Sequence, residues 1–419
     1  MDTPDIESQA KAADDPVKHP GPPDGGPRAW FHVFLLHMLF FNTWGVANSY
    51  GVFQQYYTET LDADPSSVGW IGGVPMFLIF FGGSVSGRAS DAGYFRHCFS
   101  AGVALQFLGM IMASLSTDYY QILLSQGVCV GLGNGLVFTP GLSVTSSYFH
   151  KNRSLAVGIG AAGAATGGMV YPATVNSLLR HTKLGYPWTM RIVAFIMLAT
   201  HLPSLIGYRP YLPKRSTGPL IDWEAFRQPA WVLFVLGMFL EFWGLYMAFF
   251  YLGIFTRETF HLDSSINLLI VLNGVGVAGR ILPNLIAQHT IGVLNISILT
   301  SAVCAALVFC WPAIRSVGGL YAWTAVYGLF AGGMQSLFPT LATQQAPEPD
   351  RVGTWTGMTL TVVSFACLTS APIQGALIQR EGGGYLGAEM FSGSCILLGG
   401  VLLVLSRCSK VGTSWRVKV

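Results

Sequence analysis

Residues 148–167 read YFHKNRSLAVGIGAAGAATG, a short basic segment followed by an apolar run built mostly of small residues. Within that run Gly158, Gly163 and Gly167 are spaced by five and four residues, which leaves part of a helix surface bare. Small residues allow helix backbones to approach one another closely in a lipid bilayer. The stretch therefore predicts a membrane-spanning helix that begins after the basic segment and packs closely on a neighbouring helix.

The rest of the chain has the composition of a membrane protein. Of its 419 residues, 52% are hydrophobic and only 10% are charged, whereas soluble domains carry about 25% charged residues. The 50 glycines suit closely packed helices, and the 13% aromatic residues suit a membrane interface. The net charge is only +3, which leaves no basic face for nucleic acid and excludes it as a main partner.

The apolar runs give the number of spans and their orientation. A helix needs about 20 mostly apolar residues to cross a bilayer, and twelve such runs can be counted, so both termini lie on one side. Segments on that side carry 16 Lys and Arg residues and segments on the other side carry six. By the positive-inside rule both termini are cytosolic. We predict an all-α membrane protein with 12 transmembrane helices, embedded in the lipid bilayer.

A long internal polar segment divides the spans into two sets of six. At a constant offset of 199 residues, Trp44-Gly45 aligns with Trp243-Gly244 and Pro140 aligns with Pro339, which indicates an internal repeat. Duplicated six-helix bundles are typical of alternating-access transporters. The predicted organisation is a disordered cytosolic tail (1–28), an N-terminal bundle (29–208), a cytosolic linker (209–228), a C-terminal bundle (229–406) and a cytosolic tail (407–419).

Two motifs carry a resemblance to a known family. Residues 148–167 resemble the helix 5 signature YFxKRRxLAxGxAxAGxxxG of the monocarboxylate porter family at ten of twelve fixed positions, with departures at Asn152 and Gly160. Residues 24–30, DGGPRAW, are similar to the second family signature, DGGWGW, as found in fungal-type members. The resemblance implies the major facilitator fold, two six-helix bundles around a central cavity, and a plasma-membrane or vacuolar location. Many such relatives export the products of biosynthetic pathways.

Residues 87–96, GRASDAGYFR, look like the signature between helices 2 and 3 of major facilitators. An acidic residue near the start of a helix interacts favourably with the exposed backbone N–H groups. We therefore interpret Arg88, Asp91 and Arg96 as a conformational latch. The alternative is a solvated cytosolic turn whose charges only report topology.

Two charged residues, Glu241 and Arg280, lie well inside predicted spans. A charge at the helix centre costs about 2.5–3.5 kcal/mol on insertion scales, so each needs a partner or a wet cavity. Arg280 is interpreted as the anchor of an anionic substrate. The alternatives are a structural bond to Glu241 or to backbone carbonyls, and snorkelling to the interface. In the monocarboxylate family an arginine is similarly placed, usually with an acid four residues earlier, where this chain has Gly276.

Further polar and aromatic residues lie at mid-depth in helices that line the cavity of this fold by analogy. We predict a substrate-binding set of Arg280, Asn42, Trp44, Asn134, Tyr246, Asn273 and Gln335. Each of the others could instead satisfy a neighbouring polar group. Glu241 and His37 are the candidates for proton coupling, since both can titrate, although a lone His is more often a packing residue.

These observations favour a secondary-active transporter of a small organic acid or amphipathic metabolite, an exporter of a fungal biosynthetic product in the leading interpretation. A proton-coupled monocarboxylate or nutrient importer is the alternative, and a transport-dead sensor is a distant one. Enzyme motifs such as H-E-x-x-H and G-x-S-x-G do not occur in the sequence. We expect no enzymatic activity, no cofactor and no metal, and a small-molecule partner, an organic anion, with proton coupling left open.

Overall fold

The computed structural model describes residues 23–61, 63–211, 219–262, 266–348 and 351–412. All regular secondary structure in these ranges is helical. Ten segments are long and apolar enough to cross a membrane. One of them, Pro65–Ala113, is two helices, because Gly93 interrupts it with a φ of 96°. The helix Val317–Thr343, with 27 residues, is a further long helical segment. The described residues therefore form twelve long helical segments, and the predicted 12-helix membrane architecture is confirmed.

We number these segments in chain order. They are α1 (Gly26–Thr60), α2 (Pro65–Ala89), α3 (Phe95–Ala113), α4 (Tyr119–Ser147), α5 (Arg153–His181), α6 (Gly185–Gly207), α7 (Pro229–Phe260), α8 (Ile266–His289), α9 (Val293–Ala313), α10 (Val317–Thr343), α11 (Val352–Arg380) and α12 (Leu386–Val411). We call the end of the molecule at which α1 begins and α12 ends the terminal end, and the opposite end the distal end.

The tail boundaries differ from the predicted ones. Helix α1 already begins at Gly26, because Pro27 suits the first turn of a helix, where no backbone N–H is needed. Helix α12 continues through Val411, so residues 407–411 are helical and not a tail. Residues 1–22 and 413–419, the remainder of the two predicted tails, lie outside the described residues.

The first helix of each predicted bundle is broken at a related depth. Helix α1 is interrupted at Thr43 and at Ser49, and α7 is interrupted at Tyr246. At the offset of 199 residues Tyr246 corresponds to Ala47, which lies between the two breaks of α1. Broken helices in corresponding positions of two repeats are typical of transporter binding sites.

Helix α5 packs through its glycines against helices on two sides. A Cβ atom added to Gly163 would collide with the His37 backbone carbonyl of α1, and one added to Gly158 would lie 2.9 Å from the Arg280 carbonyl oxygen of α8. The small residues therefore allow backbone-to-backbone packing. The predicted close packing of this helix through its glycines is found, but on two sides of the helix and not on one face, because Gly158 and Gly163 are about 140° apart around the helix axis. Helix α5 thereby contacts both bundles.

The distal end is closed by contacts between the two predicted bundles. Arg257 at the end of α7 forms an ion pair with Glu59 at the end of α1. Ser66 at the start of α2 donates a hydrogen bond of 2.9 Å to the Pro372 carbonyl of α11. These bonds join helices that the linker separates in the chain, so parting the two bundles at this end breaks them.

Contacts between the bundles are also present at the terminal end. Ser154 of α5 donates a hydrogen bond of 3.0 Å to Oδ1 of Asn284 in α8. Gln288 at the end of α8 donates a hydrogen bond of 2.8 Å to the Lys151 carbonyl, which precedes α5. Both ends of the molecule thus carry bonds that cross between the bundles.

Candidate functional site

A small central cavity lies where the two bundles meet. Its volume is about 20 Å³, which is room for about one water molecule. Its lining combines aromatic rings with small residues and a few polar side chains from seven helices: Phe40, Trp44, Phe80, Phe138, Ala161, Ala164, Phe242, Tyr246, Arg280, Gln335, Ser336, Phe338 and Pro339. Both bundles therefore contribute to one site.

Aromatic side chains fill most of the space around this cavity. The Trp44 ring of α1 is stacked on the Tyr246 ring of α7, with 6.3 Å between centroids and 11° between planes. Phe80 of α2 is in edge contact with Phe338 of α10 at 5.5 Å and with Phe242 of α7 at 5.8 Å. These rings contact each other across the boundary between bundles, so aromatic side chains of both bundles close the cavity.

Arg280 is the one charged residue in the cavity lining. Its guanidinium donates from Nη1 to the Gly276 carbonyl at 3.1 Å and from Nη2 to Oε1 of Gln335. A Cβ atom at position 276 would lie 2.8 Å from Nη1. The absent side chain at Gly276 therefore gives the guanidinium room to fold back along α8.

Two more polar side chains in the lining have hydrogen-bond donors that are not used. Within the described residues, neither the Tyr246 hydroxyl nor Nε2 of Gln335 makes a hydrogen bond, although both atoms are buried. Unsatisfied buried polar groups are costly. Together with Arg280 they place three hydrogen-bond donors around one aromatic cavity, an arrangement suited to a ligand rich in acceptor atoms.

Three residues of the predicted substrate-binding set face away from the cavity. Asn42 accepts hydrogen bonds from Tyr171 (2.6 Å) and Thr200 (3.0 Å), inside the first bundle. Asn134 accepts one of 2.7 Å from Gln106 of α3. Asn273 donates to the Leu269 carbonyl and packs against Gly168 of α5. These amides satisfy neighbouring helices, whereas Trp44, Tyr246, Gln335 and Arg280 form part of the cavity lining.

Glu241 and Arg280 do not meet. Glu241 is fully buried inside the second bundle, where it accepts a hydrogen bond from the Ser301 hydroxyl of α9 and packs against Gly399 of α12. In the described part of the chain Glu241 forms no ion pair. Pairing of Arg280 with Glu241 is therefore wrong, because Glu241 points toward α9 and α12. The other part of that alternative, a bond to a backbone carbonyl, agrees with the bond from Arg280 to Gly276, and Arg280 also donates to Gln335.

His37 lies in the seam between α1 and α5. Its Nδ1 is 3.0 Å from the Ile159 carbonyl oxygen and its Nε2 is 2.9 Å from Oγ1 of Thr166. Both ring nitrogens are thus engaged with α5, and the residue is half-buried. This geometry matches the packing alternative for His37.

Sequence reasoning missed two buried charged residues in α12. Glu389 is 2% exposed in the first turn, and Arg407 is fully buried near the other end, where it donates to Oδ1 of Asn295. Arg407 was expected in a tail because the apolar run ends before it. Glu389 could have been found, since it lies inside the last apolar run of the sequence.

The predicted latch lies at the terminal end, between the bundles. Arg88 donates a hydrogen bond of 2.9 Å to the Pro219 carbonyl, and a Cβ atom at Gly353, in the first turn of α11, would lie 3.9 Å from Oδ2 of Asp91. The Asp91 carboxylate is thus beside a helix N-terminus of the other bundle, where a negative charge is favourable. Arg96 is exposed in the first turn of α3.

Linker residues near this latch are bonded to α11. Asp222 accepts a hydrogen bond of 2.9 Å from the Trp355 indole and forms an ion pair of 3.4 Å with Arg351. Glu224 also pairs with Arg351. The indole N–H, followed by smaller contributions including the arginine charge, lowers the pKa of Asp222 below its ordinary value of 3.8.

Comparison with known families covers most of the chain. The family model described as Major Facilitator Superfamily matches residues 34–371. An MFS-type transporter of Gibberella zeae is 42% identical over 93% of this chain and 89% of its own length. The aspyridones efflux protein apdF of Emericella nidulans is 33% identical over 91% of this chain and 78% of its own length. The agnestins efflux protein AgnL12 of Paecilomyces divaricatus is 35% identical, over 94% and 90%.

Solved structures share the architecture at low sequence identity. The human organic anion transporter MFSD10 has a TM-score of 0.65 at 15% identity, over 90% of this chain and all of its own. A bacterial homologue of the human lysosomal transporter Spinster, inward-facing and unoccupied, has a TM-score of 0.59 at 16% identity, over 92% and 96%. These similarities show the fold alone.

Proposed function

The chain belongs to the Major Facilitator Superfamily, an integral multi-pass membrane protein of a transporter family, and from this premise we propose a secondary-active exporter of a fungal secondary metabolite. Within the superfamily we assign it to the monocarboxylate porter type, on its helix 5 and DGG signatures. The relatives named as efflux proteins for aspyridones and agnestins support export.

The observation that carries the substrate class is the placement of three donors in an aromatic cavity. Arg280 supplies a charge, and Tyr246 and Gln335 supply donors that form no other bond among the described residues. A carboxylate or phenolate accepts charge-assisted hydrogen bonds from such a set, while a planar ring packs on Trp44 and Phe80. The proposed substrate is therefore an aromatic organic acid or a similar amphipathic metabolite.

Closure of both ends of the molecule supports an alternating-access cycle, in which one end opens at a time. A cavity of about 20 Å³ is far smaller than an ordinary ligand pocket of about 300–1,000 Å³. Binding therefore requires that the bundles part at one end while the contacts at the other end hold. The Glu59–Arg257 pair and the Ser66–Pro372 bond would close the distal side in this cycle. Arg88, Asp91 and Arg96 would act as the latch of the terminal side.

We propose Glu241 as the group that couples transport to protons. Intramembrane carboxyls are functional candidates by default, and Glu241 has a hydroxyl, from Ser301, as its bonded neighbour. His37 ranks second, since both of its ring nitrogens are engaged with α5. The proposed location is the plasma membrane, with the vacuolar membrane as the alternative and both termini in the cytosol.

Uptake into inside-out plasma-membrane vesicles from yeast expressing the chain tests this function. With an acidic vesicle interior, we expect accumulation of radiolabelled hydroxybenzoates and little accumulation of their neutral methyl esters. Arg280→Gln should abolish the difference between acid and ester, because the charge is lost, whereas Arg315→Gln, exposed at the distal end, should preserve it. Accumulation only in right-side-out vesicles would indicate an importer. Equal handling of acids and esters by the unmodified protein would refute the anion site.

A further inference from the structure

A second, larger cavity lies at the distal end, entirely within the first bundle. It is an open cleft lined by the last turn of α1, the turn between α3 and α4, and the first turns of α6, and its volume is about 450 Å³. This volume falls in the usual range of small-molecule pockets, about 300–1,000 Å³. Because one bundle supplies all of its walls, the cavity persists when the two bundles move relative to each other.

Three tyrosines form a fixed aromatic wall of this distal cavity. The Tyr56 and Tyr186 rings are stacked, with 5.2 Å between centroids and 4° between planes. The Tyr57 hydroxyl is bonded to Gln126 of α4 and lies 3.0 Å from the Tyr186 hydroxyl. Stacking together with a hydroxyl network limits the rotamers of these rings, so the wall is formed before any ligand binds.

A cation is held at the same cavity. Nε of Arg191 donates a hydrogen bond of 3.3 Å to Oγ of Ser114, and its guanidinium carbon lies 4.9 Å from the centre of the Trp188 ring. No carboxylate pairs with Arg191 in the ranges that the structure describes. Ser116 and Thr117 add hydroxyls to the lining. The positioned guanidinium therefore retains donors for an anion.

From the volume, the tyrosine wall and Arg191 we propose that the distal cavity is a second binding site, for a planar aromatic anion such as a hydroxylated benzoate. The ring would pack against Tyr56 and Tyr186, and the carboxylate would accept hydrogen bonds from Arg191. The site is separate from the central cavity and does not depend on the proposed transport activity. The proposed orientation decides only whether the distal cavity opens toward the cell exterior; it does not decide whether the ligand binds.

Photolabelling of the purified full chain in lipid nanodiscs with 4-azidosalicylate, followed by mass-spectrometric mapping, tests the proposal. We expect saturable labelling within residues 56–61 and 184–191 that unlabelled salicylate prevents and neutral benzyl alcohol does not. Arg191→Gln should reduce this labelling about ten-fold or more, the worth of one charge-assisted hydrogen bond. Arg191→Lys, which keeps the charge, should retain part of it.

Two controls separate this site from the central one and from misfolding. Arg315→Gln, an exposed distal arginine of the other bundle, should label like the unmodified chain, and Arg280→Gln should leave the distal labelling intact even where it abolishes transport. Should Arg191→Gln fail to fold, Tyr186→Leu, which removes part of the wall, must lose the labelling. Absence of labelling at the distal cavity, or labelling that benzyl alcohol prevents and Arg191→Gln leaves unchanged, would overturn the proposal.

Discussion

The Trp44 ring lies nearly parallel to the Tyr246 ring, 11° apart, across the boundary between the two bundles. Each ring stands at or beside a break in the first helix of its bundle. Only one of the two carries a hydroxyl, and that hydroxyl makes no bond among the described residues. The pair therefore combines a contact that closes the cavity with a buried donor that the proposed substrate could use.

Tyr246→Phe is expected to weaken substrate binding without affecting the fold. The change keeps the stacked ring and removes one donor, whose hydrogen bond is worth about 0.5–1.5 kcal/mol. The half-saturation concentration for an acidic substrate should therefore rise about two- to twelve-fold in vesicle uptake, with unchanged surface expression. Tyr94→Phe, at a 60% exposed tyrosine outside the cavity, is the matched control. An unchanged half-saturation concentration in Tyr246→Phe would remove this hydroxyl from the site.

Glu241→Gln is expected to abolish accumulation driven by a pH gradient and to spare exchange of substrate across the membrane. Glutamine preserves the shape and the bond to Ser301 but carries no exchangeable acid proton, and exchange needs no net proton movement. Glu348→Gln, at an exposed side chain, is the control. If Glu241→Gln still accumulates substrate against a pH gradient, the coupling role passes to His37.

Gly163→Leu is expected to lower the yield of folded protein and its melting temperature in detergent. The first added carbon already collides with the His37 carbonyl, which belongs to the backbone and cannot rotate away. Overpacking ordinarily costs about 1–3 kcal/mol, and we expect at least that here. Gly318→Leu places the same side chain where a Cβ meets nothing within 4 Å, and it should be tolerated. Equal melting temperatures for the two variants would show that Gly163 is not needed for close packing of α5 on α1.

Asp222→Asn is expected to destabilise the protein near neutral pH and to have little effect in acid. Bonding to Trp355 and Arg351 lowers the folded-state pKa of Asp222 below 3.8. Its contribution is therefore complete above the unfolded pKa and declines as the pH falls through the lower folded value. Melting temperatures of variant and parent should differ at pH 7 and converge below about pH 3.8. A difference that is constant with pH would assign the effect to packing alone.

Epitope tags at either terminus should be accessible to antibody only after cells are permeabilised, because the charge bias places both termini in the cytosol. The sequons at Asn152 and Asn295 should carry no glycan for the same reason. Asn295 is only 5% exposed, so Asn152 and the tags are the informative sites. Antibody staining of tags on intact cells would show that the predicted orientation is wrong.

Helix number and close packing were predictable because both depend on local sequence. Apolar length defines a span, and the spacing of Gly158 and Gly163 defines a bare surface whichever neighbour covers it. Orientation about the helix axis was not predictable from depth alone. Asn42 and Trp44 are at nearly the same depth, yet two residues rotate the side chain by about 200°. Trp44 therefore lines the cavity while Asn42 faces the interior of its bundle.

For the same reason the sequence did not predict which helices Glu241 contacts. Its neighbour Phe242 lines the central cavity, whereas Glu241, about 100° away around the helix, contacts α9. The apolar runs predicted that Glu241 and Arg280 lie inside spans, but not which neighbours surround them. The repeat was informative where it concerned the backbone, since α1 and α7 both break, and uninformative about which side chains replaced one another.

The Pro219 carbonyl accepts hydrogen bonds from Arg88 of the first bundle and from Thr354 of the second, each 2.9 Å long. The linker between the two bundles therefore bonds them to each other at the terminal end, in addition to joining them along the chain. Two halves produced as separate polypeptides that both omit Pro219 would lack this bridge.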